Sequence, residues 1–339
     1  MRQSERLRAA LRGESTPTLP VWLMRQAGRT DPAYNALKEE AGLPLEALFR
    51  HPELAAEISL LPRRLDVDGI IFFQDILTPL SPMGAHFVFA PGPVLEEPVE
   101  GVEDLDALMP YDIAGNLGFV GETLDLVQAE LNGALPVLGF AGAPLTLAVF
   151  VLEGKSFGSS ADRALGFLRE EPEAAHHFLE KLADMTIAYL RYQAGHGVAA
   201  VQLFESAAFL LDRETYATFA LPYQQRVFNA LRGVVPTINF AREWDDLDTL
   251  AAAGADVISL PSSIGIAEAR ARLGEVQVLQ GNLDNGLLAK GPWDAIEAAA
   301  RAVAEAGEHR GHIFNLSHGL LRETPYEHIQ RLVEVVHDA

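Results

Sequence analysis

The chain has 339 residues and no cysteine. This absence excludes disulfide bonds, iron–sulfur clusters, thiolate nucleophiles and zinc sites with cysteine ligands. The sequence also lacks a Walker-type phosphate-binding loop and a His-Glu-x-x-His zinc motif. The chemistry of this chain must therefore come from other side chains.

Basic residues are scarce. There are 26 of them against 47 acidic residues, which gives a formal net charge of -21. Nucleic acids and anionic membrane surfaces attract basic patches, so neither is expected as a partner. A small anionic substrate would need a local cluster of positive charge that overcomes the field of the whole molecule.

Long hydrophobic runs are also missing. No window approaches the 18 uninterrupted apolar residues of a membrane span. The N-terminal stretch MRQSERLRAALRGES is polar and amphipathic, and it lacks the apolar core of a signal peptide. These features predict a cytoplasmic protein that does not enter the membrane.

Short apolar runs recur between segments of helical periodicity, such as 172–194, which has proline in its first turn, and 293–306. Near-continuous apolar runs are typical of parallel strands that are covered on both faces. The runs are Pro20–Leu23, Gly69–Phe73, Pro136–Phe140, Ala199–Phe204, Val234–Asn239, Asp256–Leu260, Val276–Gln280 and Ile313–Leu316.

Eight strands that alternate with helices predict an α/β protein with one domain over residues 1–339, folded as a single (β/α)8 TIM barrel. The alternative is a doubly wound open sheet. Its glycine-rich fingerprint should follow a strand, whereas the nearest match, at residues 195–200, precedes one. Residues 87–98 are proline-rich and predict a long loop with extended pieces.

In such a barrel the reactive groups lie just beyond the carboxyl ends of the strands. Polar residues occupy these positions after seven of the eight predicted strands. They are Arg25, Arg29, Asp75, Thr146, Glu205, Ser206, Asn239, Asn282, Asp284 and His318.

Arg25 and Arg29 follow the first predicted strand and are four residues apart. Arginine is suited to bidentate binding of carboxylates and phosphates. The alternative is that each guanidinium pairs with an acidic residue of the protein itself, and Asp75 is one candidate for that partner. The sequence leaves both possibilities open.

Asp75 is embedded in the apolar segment IFFQDILTPL, where a carboxylate is costly unless it is paired or binds a ligand. His318 is either a structural histidine or a site residue. Ser206 lacks a predicted base, so a hydrogen-bond donor is favoured over a nucleophile. Together these residues indicate a site for a small, anionic, polycarboxylate molecule.

The stretch PVWLMRQAGR at residues 20–29 resembles the N-terminal signature of the uroporphyrinogen decarboxylase family at each fixed position. A second family signature is similar to GFAGAPLTLAVFVLEG at 139–154. Shorter similar stretches are DIL at 75–77, VQLFES at 201–206, QGNLD at 280–284 and NLSHG at 315–319. The resemblance therefore spans essentially the whole chain.

The resemblance implies a (β/α)8 barrel, a homodimer, and a carboxy-lyase of porphyrin and heme biosynthesis. Its reaction converts the four acetate side chains of uroporphyrinogen III to methyls, giving coproporphyrinogen III and four CO2, without cofactor or metal. By the same resemblance Asp75 and Arg25 are catalytic residues, and Arg25 is a proposed proton donor. An arginine pKa above about 12 is poorly matched to an acid at pH 7, so the sequence leaves the identity of the proton donor open. The substrate-binding residues that it implies are Arg25, Gln26, Ala27, Gly28, Arg29, Asp75, Phe150, Ser206 and His318.

The chain departs from the family pattern at several positions. Phe150 stands where the family has tyrosine, and Asn285 and Arg322 stand where it has prolines. Other departures are at Leu145, 207–209, 241–244 and 261–262. They keep open a catalytically impaired tetrapyrrole-binding paralogue. A corrinoid- or thiol-linked methyltransferase of the same superfamily is the other alternative, although its usual zinc ligands include cysteine.

Overall fold

The computed structural model describes residues 1–89, 91–308 and 310–339. The strands in this part of the chain are β1 (Ile70–Ile71), β2 (Phe87–Phe89), β3 (Pro93–Leu95), β4 (Val137–Gly142), β5 (Ala200–Glu205), β6 (Thr237–Ala241), β7 (Val257–Ser259), β8 (Val278–Gln280) and β9 (His312–Ile313). Seven of them pair in the order β1-β4-β5-β6-β7-β8-β9, and every pair is parallel. Parallel neighbours in sequence order confirm the predicted barrel architecture.

The segment 20–22 occupies the eighth position and closes the ring. Val21 bridges Phe314 in parallel, and the backbone N–H of Phe314 donates to the carbonyl of Pro20 at 2.8 Å. On the other side, the Asp68 N–H donates to the Val21 carbonyl at 2.7 Å, and the Val21 N–H donates to the Asp68 carboxylate at 2.9 Å. The predicted first strand is thus reduced to one bridging residue with side-chain support.

Helices cover the outside of the sheet, and several begin at the proline that the sequence places in their first turn. Their bounds are α1 (Gln3–Leu11), α2 (Pro32–Ala41), α3 (Leu45–Phe49), α4 (Pro52–Leu60), α5 (Val102–Ala107), α6 (Ile113–Asn116), α7 (Gly118–Leu131), α8 (Pro144–Glu153), α9 (Asp162–Glu170), α10 (Pro172–Gly195), α11 (Arg213–Thr215), α12 (Leu221–Leu231), α13 (Leu247–Ala252), α14 (Ile266–Leu273), α15 (Asn285–Lys290), α16 (Trp293–Ala306) and α17 (Tyr326–Asp338). Short 3-10 turns occupy Leu61–Leu65, Thr78–Met83 and Ala208–Leu210, and a π-helical turn occupies Tyr216–Ala220. Within the described ranges, no helix is both long and apolar enough to cross a membrane.

The predicted strand Val234–Asn239 begins three residues too early. The amide of Val234 donates to the carbonyl of Leu231 at 2.9 Å, so this residue belongs to the turn that follows α12. Pro236 has no amide proton to give to a ladder. The strand therefore starts at Thr237 and continues to Ala241.

The barrel interior below the carboxyl ends of the strands is filled by a polar network as well as by apolar side chains. The indole of Trp22 donates to Gln280 at 3.0 Å, and Gln280 donates to Gln202 at 2.9 Å. All three side chains are completely buried. Because their polar atoms are paired, the network costs little and forms a rigid floor for the site above it.

The proline-rich segment forms a hairpin in which β2 and β3 pair antiparallel, with Phe87 opposite Leu95. The Leu95 N–H donates to the carbonyl of Gly154 at 2.7 Å, and Ser156 N–H donates to that of Pro93 at 3.1 Å. These bonds attach the hairpin to the loop after α8. It becomes one wall of the cavity at the carboxyl ends of the strands.

Candidate active site

A cavity of about 480 Å³ opens at the carboxyl ends of the strands. A row of aromatic rings lines one side, where successive strands end. The ring centroids are 5.2 Å apart for Phe72 and Phe140, 5.7 Å for Phe140 and Phe204, and 5.3 Å for Phe204 and Phe240. Phe204 and Phe240 are partners in the β5–β6 register, which places their rings side by side. The row offers a broad apolar face to a large ligand.

Positive charge is concentrated at this cavity. Arg25, Arg29 and Arg322 line it, and Lys38 joins Arg29 and Arg322 around an adjoining outer pocket. In the described part of the chain, none of these four cations forms an ion pair with a carboxylate, whereas several cations elsewhere do. The alternative in which Arg25 and Arg29 each form an ion pair with an acidic residue of the protein is therefore not seen among the described residues.

Arg25 has a left-handed backbone conformation, with φ of 65°. Such a conformation is uncommon for a residue with a side chain and is typical of functional sites. Gly319 makes room for its side chain, because a Cβ at that position would lie 2.5 Å from Cδ of Arg25. Burial and the charges of Arg242 and Arg29 lower the pKa of Arg25, while the charge of Asp75 raises it.

Asp75 is the carboxylate that lines this cavity among the described residues. Its Oδ1 accepts a hydrogen bond from the Leu77 N–H at 2.7 Å. Its Oδ2 receives no hydrogen bond from the described residues. Burial raises the pKa of Asp75 to about 6, and the Leu77 bond and the charge of Arg25 oppose that rise. Asp75 is thus a mostly ionised carboxylate at pH 7 with one oxygen left for a ligand.

His318 lies on the same wall, with its ring 5.7 Å from that of Phe240. Its Nδ1 accepts the backbone N–H of Gly319 at 2.6 Å, so the neutral ring carries its proton on Nε2. Burial, with the charges of Arg25 and Arg242, lowers the pKa of His318 to about 4. At pH 7 the side chain is therefore a neutral hydrogen-bond donor.

The structure brings most of the predicted site residues together. The cavity lining includes Ala27, Gly28, Phe150 and Ser206 as well as the residues above. Gln26 is outside that lining. Its Oε1 accepts the Leu23 N–H and its Nε2 donates to the Gly69 carbonyl, both at 2.9 Å. Its side chain fixes the turn that carries the two arginines.

Other polar residues after the strands have structural partners. Asn282 donates to the carbonyls of Pro261 and Ile264, at 2.7 and 2.6 Å. Asp284 caps α15 by accepting the Leu287 N–H at 2.6 Å. Asn239 is fully buried. Position after a strand therefore does not guarantee that a residue reaches this cavity.

Residues that sequence reasoning did not select also line the cavity or its outer pocket, among them Lys38, Arg322 and Ser156. Lys38 and Arg322 come from α2 and the loop before α17, and no strand-end rule identifies them. Ser156 belongs to a Gly-x-Ser-x-Gly match at 154–158. That match follows a helix, whereas a nucleophile elbow follows a strand, and no described histidine bonds to Ser156.

Across residues 1–89, 91–308 and 310–339, no group of three or more histidine, aspartate or glutamate side chains is arranged to hold a metal ion. The residues of this site can bind anionic groups through the arginines. They also present the Asp75 carboxylate and a broad aromatic surface to the same ligand.

Comparison with known proteins gives the family. The family model described as uroporphyrinogen decarboxylase (URO-D) matches residues 2–339. The chain belongs to the uroporphyrinogen decarboxylase family. The enzyme of that name from Alkalilimnicola ehrlichii is 38% identical over 348 residues, covering 99% of this chain and 94% of the relative. The one from Carboxydothermus hydrogenoformans is 41% identical over 337 residues, covering 97% and 95%.

Two solved structures with the same fold have lower sequence identity to this chain than these relatives do. A methyltransferase from Methanosarcina mazei superposes with a TM-score of 0.83 at 19% identity, covering 100% of this chain and 99% of that one. A B12-independent methionine synthase from Shewanella gives 0.57 at 11% identity, covering 96% and 95%. At such identities the likeness shows the shared barrel alone.

Proposed function

We propose that this chain decarboxylates the four acetate side chains of uroporphyrinogen III and releases coproporphyrinogen III. The observation that carries the proposal is the set of four cations around an aromatic cavity that have no carboxylate partner among the described residues, in a chain of net charge -21. A macrocycle with eight carboxylates presents both the apolar body and the anionic rim that this cavity complements.

Loss of CO2 from a pyrrole acetate requires an electron sink. A proton added to the pyrrole ring gives a cation, which accepts the electron pair of the breaking carbon–carbon bond as CO2 leaves. A proton delivered to the exocyclic carbon makes the methyl group, and the ring proton returns to solvent. The net change is one proton consumed and one CO2 released for each acetate.

In this proposal Asp75 stabilises the pyrrole cation. Its free Oδ2 accepts the pyrrole N–H groups, and its negative charge lies where positive charge develops. Arg25 lines the same cavity and is one candidate for the proton donor. Burial lowers its pKa, which is the direction that proton release requires.

The remaining residues hold carboxylates. Arg29, Lys38 and Arg322 surround the outer pocket and suit the propionates that survive the reaction. Ser206 and the Nε2–H of His318 supply neutral donors on the inner wall. Phe150 has no hydroxyl, so its part in binding is limited to ring contact.

Anaerobic incubation of the purified protein with uroporphyrinogen III tests the proposal. Products are oxidised to porphyrins and separated by carboxylate number, and the expected progression is from eight carboxylates to four. A stall at seven, six or five would point to a defective binding surface. No loss of carboxylate, by protein shown to be folded, would contradict the proposal and support the binding-only alternative.

The outer cations offer a second test. Arg322→Met and Lys38→Met each remove one positive charge from the outer pocket. We expect KM to rise about tenfold with kcat nearly unchanged, as for a contact made equally in ground and transition states. Arg301→Met is the matched control, because Arg301 is a half-exposed arginine whose partner is Glu297 on the outside of α16. Equal KM values in all three variants would contradict the assignment.

We also propose a homodimer and a cytoplasmic location for this chain, on the strength of the family resemblance. Sedimentation equilibrium of the purified protein measures the first. A monomer mass at micromolar concentration would contradict it.

A further inference from the structure

Glu205 is a completely buried carboxylate that the proposed reaction does not use. It ends β5, immediately before Ser206 of the cavity wall. In the described residues it forms no ion pair with a cation, and burial raises its pKa to about 7. Burying a carboxylate without a cationic partner costs free energy unless hydrogen bonds satisfy its oxygens. Both oxygens of Glu205 therefore need hydrogen-bond donors.

The hydroxyl of Thr146 links the two sides of Ser206. It donates to Oε1 of Glu205 at 2.5 Å and accepts the backbone N–H of Ala207 at 3.0 Å. Glu205 precedes Ser206 and Ala207 follows it. One threonine hydroxyl on α8 therefore bridges the residues that flank the predicted substrate contact.

A second set of bonds fixes the other oxygen of Glu205. Gln224 donates to Oε2 at 3.1 Å, and Tyr216 donates to the amide oxygen of Gln224 at 3.0 Å. Tyr216 stacks on Trp244, with ring centroids 4.1 Å apart. Tyr216 lies in the π-helical turn, a feature that often occurs near functional sites.

We propose that Glu205 and Thr146 are positioning residues that hold the Ser206 hydroxyl toward a substrate carboxylate. Glu205 orients the Thr146 hydroxyl so that its oxygen lone pair faces the Ala207 N–H, which fixes the backbone on the far side of Ser206. The inference rests on the proposed function, because it assigns the effect to carboxylate binding by Ser206.

A double-mutant cycle separates this role from general stability. Thr146→Val keeps the side-chain shape but removes both hydrogen bonds, and Thr146→Ser keeps the hydroxyl. We expect Thr146→Val to raise KM about fivefold with kcat changed less than about twofold. Thr146→Ser should restore the wild-type KM. In a Ser206→Ala background, Thr146→Val should raise KM no further.

Glu205→Gln is a second test of the same hydrogen bonds and replaces Thr146→Val if that variant does not fold. A glutamine side chain has one oxygen in place of two, so it cannot accept from Thr146 at one position and from Gln224 at the other, and KM should again rise. Glu153→Gln is the control. Glu153 lies at the other end of α8, where its carboxylate accepts the Ala164 N–H at 2.9 Å, outside the cavity lining. This control should lower the melting temperature and leave KM unchanged.

An unchanged KM in folded Thr146→Val, or independent effects of Thr146→Val and Ser206→Ala, would overturn the inference. The same cycle can be measured as Kd for coproporphyrin, by fluorescence, without turnover. A wild-type protein that binds coproporphyrin with the expected coupling but releases no CO2 would contradict the proposed function and leave this inference standing. Binding without coupling would contradict the inference alone.

Discussion

At the scale of the residue, the proposed role of Asp75 predicts that its pKa sets the acid limit of the reaction. Burial raises it from 3.8 to about 6, and only the ionised form can stabilise a pyrrole cation. We therefore expect kcat/KM to rise with pH through about 6 and then level off. A pH–rate profile measures this dependence. If kcat/KM has already reached its plateau below about pH 5, the result would count against the role of Asp75.

The same shift has a consequence for stability. Because the folded state holds the Asp75 proton more tightly than the unfolded state, its contribution is fully present below pH 3.8 and is lost as pH rises through about 6. Asp75→Asn should remove that part of the pH dependence. The proposed reaction thus needs the ionised form of Asp75, whereas the protonated form favours the folded state. Such a conflict between activity and stability is common at active sites.

Gly319 is expected to matter because of its neighbour. A Cβ there would contact Cδ of Arg25 at 2.5 Å and Nε at 2.9 Å, so the arginine side chain must move. We predict that Gly319→Ala lowers kcat at least about tenfold while its melting temperature stays close to that of the wild type. Wild-type kcat in this variant would show that the position of Arg25 is not critical.

Sequence reasoning could identify Arg25, Arg29, Asp75, Ser206 and His318, because each follows a strand on one face of a barrel. It could not decide whether the arginines are paired, since a partner can come from any part of a chain with 47 acidic residues. Gln26 was predicted to bind substrate by its place in the signature. In the structure its amide bonds the backbone at Leu23 and Gly69.

At the scale of the element, α2 carries three residues that line the outer pocket, Tyr34, Asn35 and Lys38, and its first turn is held by Asp31. Asp31 is buried, caps α2 through the Ala33 N–H at 2.8 Å, and pairs with Arg64 at 2.6 Å. Asp31→Ala should lower the free energy of unfolding by about 2 kcal/mol. It should also raise KM for uroporphyrinogen III, because the first turn of α2 would no longer be fixed by the cap and the ion pair of Asp31.

Chemical denaturation and steady-state kinetics measure both effects. Asp31→Asn is the control, since asparagine caps a helix as well as aspartate but cannot form the ion pair. Its loss of stability should be smaller, and its KM close to that of the wild type. If Asp31→Asn and Asp31→Ala are equally impaired, the ion pair rather than the cap positions α2.

The elements themselves were largely predictable. The predicted helices 172–194 and 293–306 correspond to α10 (Pro172–Gly195) and α16 (Trp293–Ala306), and α10 begins at the proline of its predicted first turn. The bounds of the strands were less predictable. Val234 and Val235 are apolar and precede Pro236, but they lie in the turn after α12 and not in a strand. The first strand shrinks to Val21 because its hydrogen bonds go partly to the Asp68 side chain, a long-range contact with no local sequence signal.

At the scale of the whole molecule, one apolar core contains residues from Leu7 to Val336. This continuity supports the prediction of a single domain over residues 1–339. We expect one cooperative transition in calorimetry, with equal calorimetric and van't Hoff enthalpies under reversible conditions. Two separable transitions, or a stable proteolytic fragment, would contradict the single-domain prediction.

Charge is separated on the same scale. The chain carries a net charge of -21, while four cations that form no ion pair with a described carboxylate, Arg25, Arg29, Lys38 and Arg322, lie around one cavity and its outer pocket. A substrate with many carboxylates is therefore repelled over most of the surface and attracted at one place. This contrast is the strongest argument that the cavity binds polyanions.

The central claim is that Asp75 promotes loss of CO2 from a pyrrole acetate in this cavity. The most direct measurement compares the initial rate of CO2 release from uroporphyrinogen III by the wild type and by Asp75→Asn under anaerobic conditions. Binding of coproporphyrin and the circular dichroism of both proteins serve as controls. The account predicts a loss of at least about a hundredfold in kcat, with folding and binding retained. A folded Asp75→Asn protein with near-normal CO2 release would contradict it.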